Sequence, residues 1–514
     1  MAQPQRSSNK AFKWGFPILW ALFVCELLYI FFVLLNYDLS WMNAEKCLTH
    51  RWILSNGHSW RVEDFGRALN IEAIEFDPHR LSRPLSNLCE VINAKFRANL
   101  WDYIPPHPSL SFLWPLFFIV LPVCLYRFFV NVGCNAELAL GGCMLYMATI
   151  GYLGPIVMLF HPAKSLANLC GVVTLWVASV VCCAPKPRGW WWMLPSLMLS
   201  MLATFLSDET GVFFYVVILC LFICSLKRLW PILLIMPSLY FVTIRFFLPW
   251  LHMQVRGRNA VLHDYKDFPS IDALIHPNWD HVRQNSLWLL GEHPGLHFKL
   301  QTLWAGNKFL WALHGSYLIV FTLFLILLTW SVIRRKSTGM LWGAWALIVI
   351  YVFFLTFQLS TNARVWGVWW YGSIFSMLFT IWVVLAMKHV GGYLKQGLAT
   401  FLLRGFIIIS VLHTIVFSTY EVDVLTPRAH HPLYAASEIF NGEMKEYYRD
   451  FNLFDSMKRS HCIYLSALGQ WADVKHKHIG IKPEDRERCA SMLDKDPSYA
   501  YQAAYLSVEL PIGK

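Results

Sequence analysis

The chain has 514 residues, of which 56% are apolar and only 15% charged, against about 25% charged in a soluble domain. That balance excludes a wholly soluble globular enzyme and points to a polytopic protein whose first partner is the lipid bilayer. The net charge of +11 is no nucleic-acid signal here, because Lys and Arg of such proteins collect in cytoplasmic loops.

The N-terminal "MAQPQRSSNKAFKW" is basic, and the apolar run after it lacks a small-residue cleavage site. It reads as an uncleaved first helix rather than a signal peptide. Spanning a bilayer takes about 20 apolar residues. By that measure about eleven candidate spans follow in order, near 15–36, 109–131, 135–160, 164–184, 189–207, 209–226, 229–250, 309–333, 339–360, 367–388 and 397–419. The fold class expected is therefore an all-α polytopic membrane protein. Its transmembrane domain covers 1–419, with large loops at 37–108 and 251–308. A small α-rich domain covers 420–514.

Sidedness follows from the basic residues. Arg6, Lys10, Lys13, Arg127, Lys186, Arg188, Lys227, Arg228, Arg334, Arg335, Lys336, Lys388 and Lys395 all fall on one side if the first helix starts in the cytoplasm. The other short connections, FHPAK, SDET and STNAR, are poor in positive charge. The positive-inside rule then gives an N-in, C-out chain. Both large loops and the C-terminal domain lie on the extracytoplasmic face. Most of the 13 cysteines sit in spans as small hydrophobes. Cys47 and Cys89 in the first loop, and Cys462 and Cys489 in the tail, are candidate disulfides in an oxidising compartment, or else free thiols.

The first loop concentrates polar chemistry. "VEDFGRALN" carries Glu63 and Asp64, and "FDPHRLSRPL" carries Asp77, His79, Arg80 and Arg83 between two rigid prolines. "LSNLCEVINAKF" has apolar residues near helical spacing and reads as an interfacial amphipathic helix. His107 and His161 each precede a proline at a span edge, and Arg364 stands before an aromatic run (Trp366, Trp369, Trp370, Tyr371). Interfacial capping and snorkelling are the plain alternatives for these three. "FLSDETGVFF" sets Asp208 and Glu209 between apolar runs. One acid could simply cap the next helix. An ionisable group at that depth is equally a functional-site candidate. Of the two, Glu209 reads as the functional acid and Asp208 as the cap. His263, Asp264, His276, Asp280 and His281 in the second loop lack a ligand spacing, so no metal is expected.

"HRLSRPLSNLCEVINAKF" followed by "PPHPSLSFLWPLFF", then "MLFHPAKSLANLCGVVTLW" and "FLSDETGVFF", resemble in order and sidedness the first part of GT-C-type glycosyltransferases. The protein O-mannosyltransferase-like branch is the nearest. The resemblance covers roughly residues 1–215. In that family the acidic pair follows the first helix closely. Here Glu63 and Asp64 lie further along, and Asp38 is the acid nearest the helix.

The resemblance implies transfer of a sugar from a polyprenyl-phosphate carrier to an acceptor hydroxyl on a glycan, lipid or protein, with no further cofactor. A carboxylate must take the hydroxyl proton, and cationic groups must hold the departing phosphate. The candidates for the base are Asp64, then Glu63, Asp77 and Asp38, with Glu209 and Asp208 assisting. For the phosphate and substrate they are Arg83, Arg80, His79, His107, His161 and Arg364, since Arg offers a bidentate fork. The chain reads as bacterial, which implies undecaprenyl phosphate in the inner membrane; a dolichol-using enzyme of the endoplasmic reticulum has the same physics. A transporter or flippase would need ionisable groups within spans. Arg245 and Arg404 are the exceptions noted in these spans. A non-catalytic subunit on a GT-C-like fold is the third reading.

Overall fold

A computed structural model describes residues 15–36, 83–100, 112–147, 152, 162–183, 190–208, 211–222, 235–239, 241–247, 250, 319, 326, 373–391, 401, 404–405, 408, 412, 483–484, 487 and 491. Among them all regular structure is helical. Helix α1 is Gly15–Asn36, α2 is Pro84–Leu100, α4 is Ala136–Met147 and α5 is Pro162–Cys183. Helix α6 is Trp190–Ser207, α7 is Val212–Leu221 and α8 is Ser373–Gly391. Helix α3 is a continuous run of an α-helical start at Leu113–Pro115, a π-helical turn at Leu116–Val120 and an α-helical remainder at Leu121–Asn131. A second π-helical turn lies at Thr243–Phe247.

Local sequence explains several of these boundaries. Pro122 has no N–H to give and crowds the carbonyl one turn back, and the π-helical turn sits just before it. Gly133, at a φ of 90°, ends α3. The Gly133 N–H donates to the Val130 carbonyl and the Cys134 N–H to the Phe129 carbonyl, each at 2.9 Å, which is a Schellman closure. Asn135 then starts α4, its Oδ1 accepting the Leu138 N–H at 2.8 Å. Pro162 opens α5, where its missing N–H is no loss.

Helix α5 is the hub, packing against α2, α3, α6, α7 and α8, while α4 packs against α1, α3 and α8. Val172, Leu175, Ala178 and Val181 of α5 are buried, and Phe117, Phe128, Phe129, Tyr146 and Phe214 are the largest wholly buried side chains among the described residues. The α5–α7 crossing is close: a Cβ on Gly171 would sit 2.3 Å from the Phe214 ring. Small residues permit such approach between apolar helices. Outward-facing apolar side chains are numerous, Ile119 at 62% and Leu199 at 69% exposure among them.

Within α5, Ala163–Cys183 is long and apolar enough to cross a membrane; it is also mostly buried in the bundle. Shorter apolar stretches among the described residues lie at Pro17–Leu28, Leu116–Asn131, Ala136–Met147, Met193–Ser207 and Ser376–Lys388. Loop 251–308 lies outside the described residues, as does all of 420–514 except positions 483, 484, 487 and 491.

The two ends of the bundle differ chemically. At one end Lys388 Nζ donates to the Val132 carbonyl at 2.5 Å. Near it Arg404 makes two hydrogen bonds to Glu137, Nε to Oε2 at 2.9 Å and Nη2 to Oε1 at 2.7 Å. The charge of Arg404 is thus answered in the first turn of α4. Asn131 Nδ2 donates to Ser179 Oγ at this end of α5. Lys164 stands near the opposite end, about 22 Å along the helix.

Candidate functional site

Three stretches distant in sequence meet at the start of α5. Arg83 precedes α2, and its carbonyl accepts the Asn87 N–H at 2.9 Å, so it occupies the cap position before Pro84. Lys164 is in the first turn of α5. Asp208 follows the last residue of α6, and its own carbonyl accepts the Gly211 N–H at 3.0 Å in the turn to α7.

Their side chains form one cluster. Lys164 Nζ donates to Asp208 Oδ1 at 2.6 Å, and Arg83 Nε stands 3.3 Å from Asp208 Oδ2. Oδ2 is not satisfied by an aligned hydrogen bond, so the arginine contact is one of charge at a distance. Asp208 is wholly buried and Lys164 nearly so, whereas the Arg83 side chain keeps 19% exposure. Two cations, Arg83 and Lys164, face the Asp208 carboxylate, and of the three side chains Arg83 is the most exposed.

Asn87 lies one turn after Arg83 on the same face of α2. It is 1% exposed, and neither its Oδ1 nor its Nδ2 has a hydrogen-bond partner. Buried amides are normally hydrogen-bonded, so Asn87 offers a donor and an acceptor one turn from Arg83. Along α6, Thr204 Oγ1 returns to the Ser200 carbonyl and Ser207 Oγ to the Ala203 carbonyl, each at 2.7 Å. Cys89 is a free thiol; burial pushes it up to about 11, so it is protonated and unreactive at neutral pH. Its expected partner Cys47 lies outside the described residues, as do Cys462 and Cys489.

Of the residues expected from sequence, the cluster joins Arg83 and Asp208. Asp38, Glu63, Asp64, Asp77, His79, Arg80, His107, His161, Glu209 and Arg364 lie outside the described residues. The division of labour expected at "SDET" changes. The cap position of α7 is Gly211, with no side-chain cap hydrogen bond, and the Asp208 carboxylate faces Lys164 and Arg83 instead.

Sequence reasoning missed Lys164, having taken FHPAK only as a charge-poor connection. A signal was there: a lysine at the positive end of a helix dipole is disfavoured unless an anion answers it. It also passed over Glu26 in α1, which is 3% exposed. No protein-family model matches the chain, and no curated protein or solved structure is significantly similar to it.

Proposed function

We propose that the chain is a membrane glycosyltransferase that moves a sugar from a polyprenyl-phosphate carrier to an acceptor hydroxyl at the extracytoplasmic face. The single observation that carries this reading is the Arg83–Lys164–Asp208 cluster. A half-open arginine beside a buried Lys164–Asp208 ion pair suits a phosphate at the end of a helical bundle.

In this reading Arg83 holds the carrier phosphate, with Arg80 and Arg364 as further candidates. Asp208 acts as a positioning residue: it fixes Lys164 directly and draws the Arg83 guanidinium toward the bundle. The acceptor oxygen attacks the anomeric carbon while the bond from that carbon to the phosphate oxygen breaks. The hydroxyl proton passes to a carboxylate of the first loop, Asp64 first, then Glu63 or Asp77. The lipid phosphate leaves with its bonding electrons, and the cations stabilise that charge. The eleven-span, N-in topology and the bacterial inner membrane belong to the same proposal. They are supported by the charge pattern and by the presence of a membrane-length helix.

The test is transfer of a labelled sugar from polyprenyl phosphate by the purified full chain supplied with a membrane extract as acceptor source. Arg83→Ala and Asp64→Asn should each lower transfer by roughly 100-fold. Absence of transfer from any polyprenyl-phosphate sugar, or transfer untouched by both substitutions, overturns the reading. A transporter is the second reading, and one observation favours it: Glu26 is an ionisable group buried within an apolar helix. Sugar movement across sealed vesicles without a new glycosidic bond would select it.

A further inference from the structure

Glu26 belongs to no part of the site above. It sits near the middle of the 22-residue helix α1, one to two turns from the buried Leu19 and Phe23. That spacing puts all three on one face, and the helix packs on α4. Glu26 is 3% exposed, and neither carboxyl oxygen has a hydrogen-bond partner. The titratable groups in electrostatic reach of it, among the described residues, are Cys143 of α4 and Tyr152 just beyond that helix. Neither can supply a positive charge. The acid of α4, Glu137, is taken up by Arg404.

The neighbouring hydroxyls make no hydrogen bond to it. Tyr152 OH donates to the Phe117 carbonyl at 3.1 Å, and Tyr146 OH accepts from Asn168 Nδ2 at 2.9 Å. A carboxylate stripped of water, with no cation and no donor, is among the least stable arrangements a protein interior can hold. The neutral acid removes that penalty, because only the charged form depends so strongly on solvation.

We propose that Glu26 is a buried proton-binding site, occupied at neutral pH, at the α1–α4 interface. Its ligand is the proton itself. The two tyrosine rings stand 5.2 Å apart, edge to face, and Asn168 lies one turn along α5 from Lys164. Polar groups therefore lead from the neighbourhood of Glu26 toward the ion cluster at the end of the bundle. The inference is independent of the glycosyltransferase reading.

Dicyclohexylcarbodiimide tests it on the full chain in detergent. The acid O–H adds across a C=N bond of the reagent, and the O-acylisourea rearranges to a stable N-acylurea that peptide mass spectrometry locates. Only the protonated carboxyl reacts. Labelling of Glu26 at about pH 7 should stay within about twofold of that at about pH 5, whereas an ordinary glutamate loses roughly 100-fold over that range. A fall of that size, or no adduct at Glu26, overturns the proposal. A second readout is the infrared difference between wild type and Glu26→Gln at neutral pH. A carboxylic-acid carbonyl band is expected, and carboxylate bands in its place overturn the proposal. The labelling arm uses wild-type protein, so a misfolded variant leaves the test standing.

Discussion

Lys164 Nζ lies 2.6 Å from Asp208 Oδ1, with the lysine 2% and the aspartate 0% exposed. Residues from two different helix ends, 44 positions apart, thus share one desolvated charge pair. Breaking a buried pair by removing one member typically costs about 3–5 kcal/mol. Removing both takes the attraction and the desolvation penalty away together. Asp208→Asn and Lys164→Met are each expected to destabilise the chain by about that amount, and the double variant by clearly less than their sum. Thermal unfolding of the four proteins in one detergent checks this. Additive losses would mean that the pair is not coupled.

Arg83 should behave differently. Its side chain is partly exposed and pairs with Asp208 at a longer distance. Arg83→Lys keeps the charge but loses the planar fork. Stability is expected to fall by about 1 kcal/mol or less, while sugar transfer falls by roughly 10-fold or more. Parallel unfolding and activity measurements separate the two. A loss of activity that only tracks loss of fold would assign Arg83 to structure alone.

At the α5–α7 crossing the expectation is steric. Gly171→Ala places a methyl carbon 2.3 Å from the wholly buried Phe214 ring, so the ring or the helix must move. Overpacking of this kind typically costs about 1–3 kcal/mol. Phe214→Leu in the same chain should recover part of the loss, read as a rise in unfolding temperature over Gly171→Ala alone.

Cys89 gives a pH signature. Its folded-state value, raised by burial from 9.0 to about 11, means that the folded chain holds this proton longer than the unfolded chain. Stability from this group is complete below pH 9.0 and is lost as pH rises to about 11. Wild type should therefore lose more stability than Cys89→Ala across that window. Alkylation of Cys89 should be slow at neutral pH. Fast alkylation at neutral pH would show that the thiol is not buried.

Much of the helical framework was legible in the sequence because it rests on local patterns. Apolar runs expected near 15–36, 164–184 and 189–207 are helices at Gly15–Asn36, Pro162–Cys183 and Trp190–Ser207. The amphipathic spacing after Arg83 is helix α2. Length, periodicity and proline positions set these elements, and each acts over a few residues.

The cluster was legible only in part. "SRPL" and "SDET" drew attention because charge interrupts apolar sequence, and Arg83 and Asp208 do meet. That Asp208 turns inward was not readable, because the direction a turn residue takes is set by the helices packed around it. Lys164 and Asn87 were missed for a related reason: burial and lack of partners belong to neighbours far along the chain. Composition and periodicity determined the helices and apolar outer surfaces found among the described residues. Only the tertiary packing decided that Lys164 answers Asp208, and that Glu26 faces a neighbour offering it neither a donor nor a cation. Local sequence sets backbone conformation, whereas charge compensation in a desolvated interior depends on which helices pack together.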